Sequence, residues 1–219
     1  MQITNKIISG DAIGLASQIP DATLDAVITD PPYGVRYKDR SGRQVRNDDD
    51  ISAILPVFGE LYRALKPGTF CISFYGWNKA DSFMQAWRNA GFRIAGHLVW
   101  TKDYASNQGY VRYSHEQAYI LTKGRPERPV HPISDVQSWI YSGNRSHPTE
   151  KSVEILKPLV EAFSQPGDLI CDPFSGSGST AVAAALLGRS YLGFEIEEKY
   201  CQLAEKRLAG VNRYKEAAA

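Results

Sequence analysis

The chain has 219 residues, of which 43% are hydrophobic and 22% are charged, so it can bury a sizeable core within one domain that spans residues 1–219. This composition excludes an intrinsically disordered protein. Twenty-five basic and 24 acidic residues give a net charge of +1, which excludes a strong overall field toward nucleic acids or membranes. Any basic binding surface must therefore be local.

The three cysteines, Cys71, Cys171 and Cys201, are widely spaced and form no Cys-x-x-Cys pair. This pattern argues against a disulfide framework and a structural zinc site, so we expect small core residues and no metal. The chain starts without an apolar signal region, and no apolar run approaches the ~18 residues of a membrane span. We expect a cytoplasmic protein with no membrane partner.

Short β-rich runs alternate with helical patterns, which predicts an α/β fold with helices on both faces of a mainly parallel sheet. Two runs, Ala26 to Ile28 and Leu169 to Cys171, are apolar without alternation, as in central strands that are buried on both faces. Seven strands are predicted, near Lys6 to Ser9, Asp25 to Thr29, Phe70 to Tyr75, Ile94 to Thr101, Gln117 to Thr122, Asp168 to Asp172 and Tyr191 to Glu195.

Apolar residues at helical spacing predict a helix from Ile51 to Leu65, which ends before Lys66-Pro67-Gly68. We expect Pro158 to kink or split the helix that contains it. Weaker helical patterns occupy Lys79 to Asn89, Pro148 to Phe163, Ser179 to Leu187 and Glu197 to Leu208.

The tetrapeptide Asp30-Pro31-Pro32-Tyr33 directly follows a predicted buried strand. Ligands of open α/β sheets bind beyond the carboxyl ends of strands, which favours a site over a plain Pro-Pro turn with a helix-capping Asp30. The Asp30 carboxylate and the Pro31 carbonyl are two close acceptors, which suit an exocyclic amino group with two N–H donors. Tyr33 offers a ring face on which a heterocycle can stack.

A glycine-rich stretch follows the other buried strand and begins a helix of small residues. Its glycines, Gly176 and Gly178, permit a tight turn and close approach of the backbone to a ligand. Glu195 follows Gly176 by 19 residues, near the ~20-residue offset of a ribose-binding acid. These features fit an NAD-dependent dehydrogenase as well as an enzyme that binds another adenosine-containing cofactor. The simplest alternative is a loop that binds no ligand. The full stretch reads Asp172-Pro173-Phe174-Ser175-Gly176-Ser177-Gly178-Ser179-Thr180-Ala181.

Two long segments fit neither a helix nor a strand, and loops of such length in a compact domain are uncommon unless they have a function. The alternative for both is a mobile loop that only faces solvent. The basic loop, Gly34 to Arg46, carries five cations: Arg36, Lys38, Arg40, Arg43 and Arg46. The polar segment, Gly124 to His147, carries Arg125, Arg128 and Arg145.

In the order and spacing of its motifs, the sequence resembles the amino-methylating DNA methyltransferases that use S-adenosyl-L-methionine. The resemblance is to the permuted (beta) group, in which the catalytic tetrapeptide precedes the glycine motif, and it implies a Rossmann-like sheet. It covers nearly the whole chain. The matching segments are Ile8-Ser9-Gly10-Asp11, Asp30 to Tyr33, Trp100-Thr101-Lys102, His147-Pro148-Thr149-Glu150-Lys151, Asp172 to Thr180 and Gly193-Phe194-Glu195.

The resemblance implies which residues bind the cofactor. Asp11 is expected to accept a hydrogen bond from the adenine amino group, and Glu195 is expected to accept hydrogen bonds from the ribose hydroxyls. The alternative for Asp11 is a helix N-cap, and the alternative for Glu195 is a charge in the first turn of a helix. Thr149 and Lys151 resemble the motif that anchors the cofactor carboxylate; the alternative for Lys151 is a solvated lysine. The methionine end would be lined by Asp172, Phe174, Ser175, Gly176, Ser177 and Gly178.

The expected reaction is methyl transfer from S-adenosyl-L-methionine to adenine N6 in duplex DNA, with S-adenosyl-L-homocysteine as the product. In the resembled family, Asp at the first motif position goes mainly with adenine N6, whereas Ser goes mainly with cytosine N4, which stays the alternative together with RNA. Cytosine C5 methylation requires a thiolate, and no Pro-Cys pair occurs. The target base must leave the duplex and stack on Tyr33.

The resemblance also places a short target-recognition insert at residues 124–146. We expect the arginines of this insert and the five cations of the basic loop, residues 34–46, to contact phosphates beside the extruded base. The partner is then duplex DNA, and the protein is expected to be a monomer or a weak homodimer.

Overall fold

The computed structural model describes residues 3–35, 50–105, 107–140 and 150–218. The strands within these ranges are β1 (Lys6–Ser9), β2 (Leu24–Thr29), β3 (Leu65–Phe74), β4 (Arg93–Thr101), β5 (Asn107–Gln108), β6 (Arg112–Tyr113), β7 (His115–Lys123), β8 (Val136–Ser138), β9 (Leu169–Asp172) and β10 (Ser190–Glu195). The α-helices are α1 (Ala12–Ala16), α2 (Val57–Ala64), α3 (Ala80–Ala90), α4 (Val153–Phe163), α5 (Ser179–Leu186) and α6 (Glu198–Ala218).

The main sheet of the described residues has the strand order β1-β10-β9-β2-β3-β7-β4-β8. Strand β7 is antiparallel to both neighbours, and every other pair is parallel. The expected α/β class, the mainly parallel Rossmann-like sheet and all seven predicted strands are confirmed. The count of seven is wrong, because β8 in the polar segment pairs with β4 as an eighth strand. A separate hairpin joins β5 and β6.

The two buried strands of the sequence analysis, β2 and β9, are direct parallel neighbours at the centre of the sheet. Their registered partners are Ala26 with Ile170 and Val27 with Cys171. Because parallel neighbours end at the same edge of a sheet, Asp30 follows β2 close to the residue that ends β9, Asp172. The two motifs therefore meet in space although more than one hundred residues separate them in sequence.

Helices cover both faces of the sheet, as predicted. Apolar residues of α4, α5 and α6 pack on one face, where β2 contributes Ala26 and Ile28. Helices α1, α2 and α3 pack on the other face, where β2 contributes Leu24 and Val27. Strand β2 thus has almost no polar face, which explains why its sequence is apolar without alternation.

Two predicted helices differ from the structure at a proline. The helix expected from Ile51 is a 3-10 turn at Ile51–Ala53 followed by α2, because the Pro56 ring in a continuous helix would clash with the Ser52 carbonyl. Pro158 does not split α4, which is continuous from Val153 to Phe163, and a kink at Pro158 stays a prediction.

Helix α4 begins after the N-cap Ser152 rather than at Pro148, which lies outside the described residues. Helix α6 continues past Leu208 to Ala218. The short helix α1 was not predicted. All three cysteines are buried and free, as expected. None of the described helices is long and apolar enough to cross a membrane.

Candidate active site

The Asp30 corner, residues 30–33, extends from the end of β2. The Asp30 carboxylate accepts two hydrogen bonds: Tyr33 Oη donates to Oδ1 at 2.6 Å, and Lys151 Nζ donates to Oδ2 at 2.5 Å. Pro31 is buried, whereas Pro32 and Tyr33 are half-buried. Burial raises the pKa of Asp30 above its usual value, against the opposing effects of Lys151 and Tyr33. The corner is thus a desolvated carboxylate with two fixed donors.

Gly76, which follows β3, makes room for the Tyr33 ring. A Cβ at this glycine would lie 2.9 Å from Tyr33 Cβ, closer than real Cβ contacts allow. The backbone that follows β3 therefore packs closely against the tyrosine, and the hydroxyl hydrogen bond fixes its direction. Any larger residue at Gly76 would push Tyr33 away from Asp30.

Lys151 lies at the Asp30 corner, and its side chain is only 9% exposed. Its Nζ is 3.4 Å from Tyr33 Oη and lies 5.5, 5.0 and 5.9 Å from the ring centroids of Tyr33, Phe74 and Trp139. Burial alone would lower the pKa of Lys151, but the carboxylates around it, with Asp30 foremost, raise it. The alternative of a solvated lysine is wrong.

Asp172 ends β9 directly beside β2. Its Oδ1 accepts from Thr29 Oγ1 at 3.0 Å and from the Phe174 N–H at 3.1 Å. Burial raises the pKa of Asp172 from 3.8 to about 7, although these donors and the Thr180 hydroxyl oppose the shift. Because Thr29 immediately precedes Asp30, this hydrogen bond ties the two motifs together at the sheet edge.

The glycine turn, residues 173–178, is shaped by its backbone. Gly176 and Gly178 have φ values of +51° and +80°, in the left-handed region that favours glycine. A Cβ at Gly178, the N-cap of α5, would lie 2.7 Å from Ala204 Cβ of α6. The Ser175 N–H donates to the Phe194 carbonyl at 2.8 Å, which fixes the turn against β10.

Glu195 ends β10 and closes the glycine turn. Its Oε2 accepts from the Gly176 N–H at 2.9 Å, and its Oε1 accepts from the Glu197 N–H at 2.8 Å. Glu195 precedes α6, so it is not a first-turn helix charge. Burial raises its pKa, against these backbone donors. The Ile196 N–H is a third backbone donor to this carboxylate. The carboxylate thus supports the turn and keeps about one lone pair for a hydroxyl donor.

Asp11 lies at the same sheet edge, because Ser9 of β1 is registered with Glu195 and the Gly10 N–H donates to the Glu195 carbonyl at 2.9 Å. The side chain of Asp11 caps α1 by accepting from the Gly14 N–H at 2.8 Å. The N-cap alternative is therefore what the structure shows. A cofactor contact of Asp11 stays a prediction.

One cleft joins the Asp30 corner to the glycine turn. Asp30 and Lys151 line one side, and Asp172, Gly176 and their neighbours line the other. Ligands bound by the two motifs can therefore contact each other within a single cleft. The lining comprises Ile28, Thr29, Asp30, Phe74, Glu150, Lys151, Leu156, Asp172, Phe174, Ser175, Gly176, Ser177, Ser179 and Thr180.

Arg207 of α6, which was not predicted from the sequence, binds the glycine turn. Its Nη1 donates to the carbonyl and hydroxyl oxygens of Ser177 at 2.8 Å each and to Ser179 Oγ at 3.2 Å, and it pairs with Glu150 Oε1 at 3.0 Å. Arg207 follows Ala204 by three residues on the apolar stripe of α6, which includes the buried Leu208. A cation on such a stripe is the sequence feature that could have found it.

Several predicted DNA and cofactor contacts lie outside the described residues: Arg36, Lys38, Arg40, Arg43, Arg46, Arg145 and Thr149. Arg125 and Arg128 are described, and both are exposed. They follow β7, and neither lines the cleft. Their contact with DNA stays a prediction.

The cleft has a polar group that lacks a partner. Ser175 Oγ is buried without a hydrogen bond to any described residue, which is unusual for a native structure unless a ligand or water pairs with it. A Cβ at Gly193 would lie 2.6 Å from this oxygen, so the glycine makes room for the Ser175 side chain. The turn therefore fits a polar ligand such as a nucleoside cofactor. Among the described residues, no cluster of His, Cys, Asp or Glu could hold a metal ion.

The sequence model of a family described as DNA methylase, and named for N6 and N4 methyltransferases, matches residues 24–206. This range contains both motifs and every residue that lines the cleft. The chain belongs to the DNA methylase family. It is thus a methyltransferase of the group that methylates amino nitrogens of DNA bases, and the expected resemblance is confirmed.

Relatives of this DNA methylase agree with the assignment. YubD of Escherichia coli (strain K12), described as a methylase, is 49% identical over 209 residues, covering 95% of the chain and 92% of YubD. YhdJ of the same organism, described as a DNA adenine methyltransferase, is 26% identical over 249 residues, covering 95% of the chain and 84% of YhdJ.

The fold of this DNA methylase is also that of TTHA0409 of Thermus thermophilus, solved in complex with S-adenosyl-L-methionine. The TM-score is 0.71 at 22% identity, covering 94% of this chain and 95% of the other.

Proposed function

We propose that the protein transfers a methyl group from S-adenosyl-L-methionine to N6 of adenine in duplex DNA, releasing S-adenosyl-L-homocysteine. The observation that carries this proposal is that Asp30 and Gly176 line the same cleft. A methyl group can pass directly between two ligands only if their sites are contiguous, and near-attack geometry supplies much of such a rate enhancement. The description of YhdJ as an adenine methyltransferase supports adenine as the base.

The glycine turn would hold the cofactor. Its left-handed glycines permit close backbone approach, the unpaired Ser175 hydroxyl is available for a polar contact, and Glu195 keeps an acceptor position for a ribose hydroxyl. Asp11 lies at the same edge for the adenine amino group. When bound, S-adenosyl-L-methionine supplies an electrophilic methyl group on a sulfonium. The remaining contacts would come from Asp172, Phe174, Ser177, Gly178 and Thr149.

The Asp30 corner would hold the target amino group. The lone pair of an exocyclic adenine nitrogen is delocalised into the ring, so the nitrogen must be drawn toward tetrahedral geometry before it can attack. A carboxylate offers about four lone-pair positions. Two on Asp30 serve Tyr33 and Lys151, which leaves acceptor capacity for one amino N–H, and the Pro31 carbonyl can accept the other. Both contacts act by orientation and preorganised electrostatics.

The target base must leave the DNA helix to reach this corner, at a cost of a few kcal/mol in lost pairing and stacking. Tyr33 would stack on the extruded base. The basic loop at residues 34–46 continues directly from Tyr33 and would contact neighbouring phosphates, together with Arg125 and Arg128 of the insert at residues 124–146. We infer duplex DNA as the partner of a protein that is a monomer or a weak homodimer.

Cytosine N4 is the second candidate target, because it is also an exocyclic amino group with two N–H donors and the family model covers both chemistries. The same two acceptors serve either base. The Asp at position 30, which the resemblance associates with adenine, favours N6.

A sequencing experiment tests the proposal. Unmethylated genomic DNA is incubated with the protein and S-adenosyl-L-methionine and is then sequenced by a method that detects modified bases. We expect methylated adenines in one short sequence context. If cytosine is methylated instead, the target atom is cytosine N4 and not adenine N6. Methyl transfer to RNA alone would refute the DNA substrate. Protection against thermal unfolding by S-adenosyl-L-homocysteine, and not by NAD, separates the proposal from a dehydrogenase.

A further inference from the structure

The Lys151 ammonium is buried at the target side of the cleft. It donates to Asp30 Oδ2 at 2.5 Å and is surrounded by the rings of Tyr33, Phe74 and Trp139. Removing an ammonium from water is expensive, and only a well-placed opposite charge compensates for that cost. The nearest such charge is the Asp30 carboxylate. Lys151 is therefore built into the Asp30 corner.

We propose that Lys151 is a positioning residue for the target amino group: it keeps the Asp30 carboxylate ionised and oriented, instead of binding the carboxylate of the cofactor. This inference rests on the proposed function, because Asp30 must accept an N–H from the target base. An ionised carboxylate is only an acceptor, whereas a protonated one presents an O–H donor. An O–H facing an amino N–H would remove the contact that draws the nitrogen out of the ring plane.

The surroundings of Asp30 make a cation necessary. Tyr33 donates one hydrogen bond, but Glu116 of β7 raises the pKa of Asp30, and Asp172 of β9 is a further carboxylate in the cleft. Lys102 pairs with Glu116 and moderates its charge. Asp172 is the comparison, because its carboxyl accepts only from hydroxyl and backbone donors in the described structure. Burial raises the pKa of Asp172 to about 7. Burial also raises the pKa of Asp30, and Lys151 gives the largest effect that opposes this rise.

Two substitutions separate charge from volume. Lys151→Met keeps the length of the side chain and removes its charge, and Lys151→Arg keeps the charge. Lys157→Met is the matched control, because Lys157 of α4 is only half-buried and pairs only with Glu154 in the described structure, at 2.8 Å. If Lys151→Met does not fold, Lys151→Gln gives the same comparison with a neutral hydrogen-bond donor.

Carbon-13 NMR of labelled Asp side chains measures the effect without methyl transfer, with the Asp30 signal assigned from Asp30→Asn. We expect Lys151→Met to raise the pKa of Asp30 by about one to three units, as for loss of an adjacent opposite charge. Lys151→Arg and Lys157→Met should match the wild type. An Asp30 pKa that is unchanged in Lys151→Met overturns the inference. Because this readout needs no reaction, it is independent of whether the wild type methylates DNA.

Calorimetric binding separates the two roles of Lys151. S-adenosyl-L-homocysteine carries the amino-acid carboxylate of the cofactor, and 5′-methylthioadenosine lacks it. We expect Lys151→Met to leave the ratio of their dissociation constants unchanged. A selective loss of about tenfold for S-adenosyl-L-homocysteine, equivalent to about 1.4 kcal/mol, would assign Lys151 to the cofactor carboxylate and contradict the inference.

Discussion

The two sides of the cleft are held in different ways. Around Asp30, side-chain charges and a hydroxyl fix the geometry, through Lys151 and Tyr33. Around the glycine turn, backbone N–H groups are donors: the Gly176 N–H donates to the Glu195 carboxylate, and the Ser175 N–H donates to the Phe194 carbonyl, while Arg207 binds the turn from α6. Neutralising a side chain at the Asp30 corner should lower the rate of methyl transfer, whereas neutralising Arg207 or adding volume at the glycine turn should weaken cofactor binding. Substitutions on each side test this contrast.

The largest effect is expected at Asp30. Asp30→Asn keeps the shape but has a single acceptor oxygen, which Lys151 would take, and an N–H₂ donor in place of the other oxygen. Methyl transfer should fall by about 10²–10³-fold, the range for loss of one preorganised electrostatic contact. Binding of S-adenosyl-L-homocysteine, measured by calorimetry, should stay near the wild-type value. Asp81→Asn, at an exposed position of α3, is the control. Near-normal turnover of Asp30→Asn would remove Asp30 from the mechanism.

Arg207 tests the opposite side. Arg207→Met removes charge-assisted hydrogen bonds to Ser177 and Ser179, each worth about 1.5–3 kcal/mol, so cofactor affinity should fall about tenfold to one hundredfold. The rate constant at saturating cofactor should change far less, because Arg207 does not contact Asp30. Steady-state kinetics with varied cofactor measures both. Lys206→Met, on the exposed face of α6, should match the wild type, and an equal loss there would mean that only helix stability is affected.

Added volume should harm the glycine turn more than an ordinary glycine position. Gly193→Ala places a Cβ 2.6 Å from both Ser175 Oγ and Ile7 Cδ1, so overpacking should lower the free energy of unfolding by about 1–3 kcal/mol and weaken cofactor binding. Gly59→Ala in α2 has nothing within 4 Å and should stabilise the protein by up to about 1 kcal/mol. Urea unfolding tests both variants, and equal effects would contradict the packing argument.

The pH dependence of folding stability should reflect Asp172. Burial raises the pKa of Asp172 from 3.8 to about 7, so between these values the unfolded chain has released a proton that the folded protein retains. Folding stability therefore falls as pH rises through this window and levels off above it. Asp172→Asn keeps an oxygen for Thr29 and Phe174 but does not titrate. In urea unfolding, the free energy of unfolding of Asp172→Asn relative to the wild type should rise from pH 4 to 7. If the two proteins show the same pH dependence, the raised pKa of Asp172 is contradicted.

Local sequence was sufficient to place both motifs at strand ends. The apolar runs of β2 and β9 lack alternation because both faces of these strands are buried, and the residues that follow such strands lie at the binding edge. The pairing of these strands was not evident, because β9 enters the sheet between β2 and β10 through long-range contacts. Sequence spacing carries no information on that insertion.

The remaining differences have a similar cause. Strand β8 is three residues long and mostly exposed, so only its pairing with β4 defines it as a strand. The ion pair of Lys151 with Asp30 joins residues 121 positions apart, and a lysine in a motif does not show which carboxylate it will meet. Arg207 was more accessible to prediction, since a cation on an apolar helical stripe must find a partner when buried.

The Asp30 corner and the glycine turn should hold two ligands side by side in one cleft. A crystal structure of the protein with S-adenosyl-L-homocysteine and a duplex that contains the sequenced target site would show both ligands together. We expect the thioether sulfur beside the turn at Phe174 to Ser177, and the extruded base with its amino nitrogen at Asp30. A homocysteine group bound elsewhere, or a target amino group away from Asp30, would contradict this arrangement.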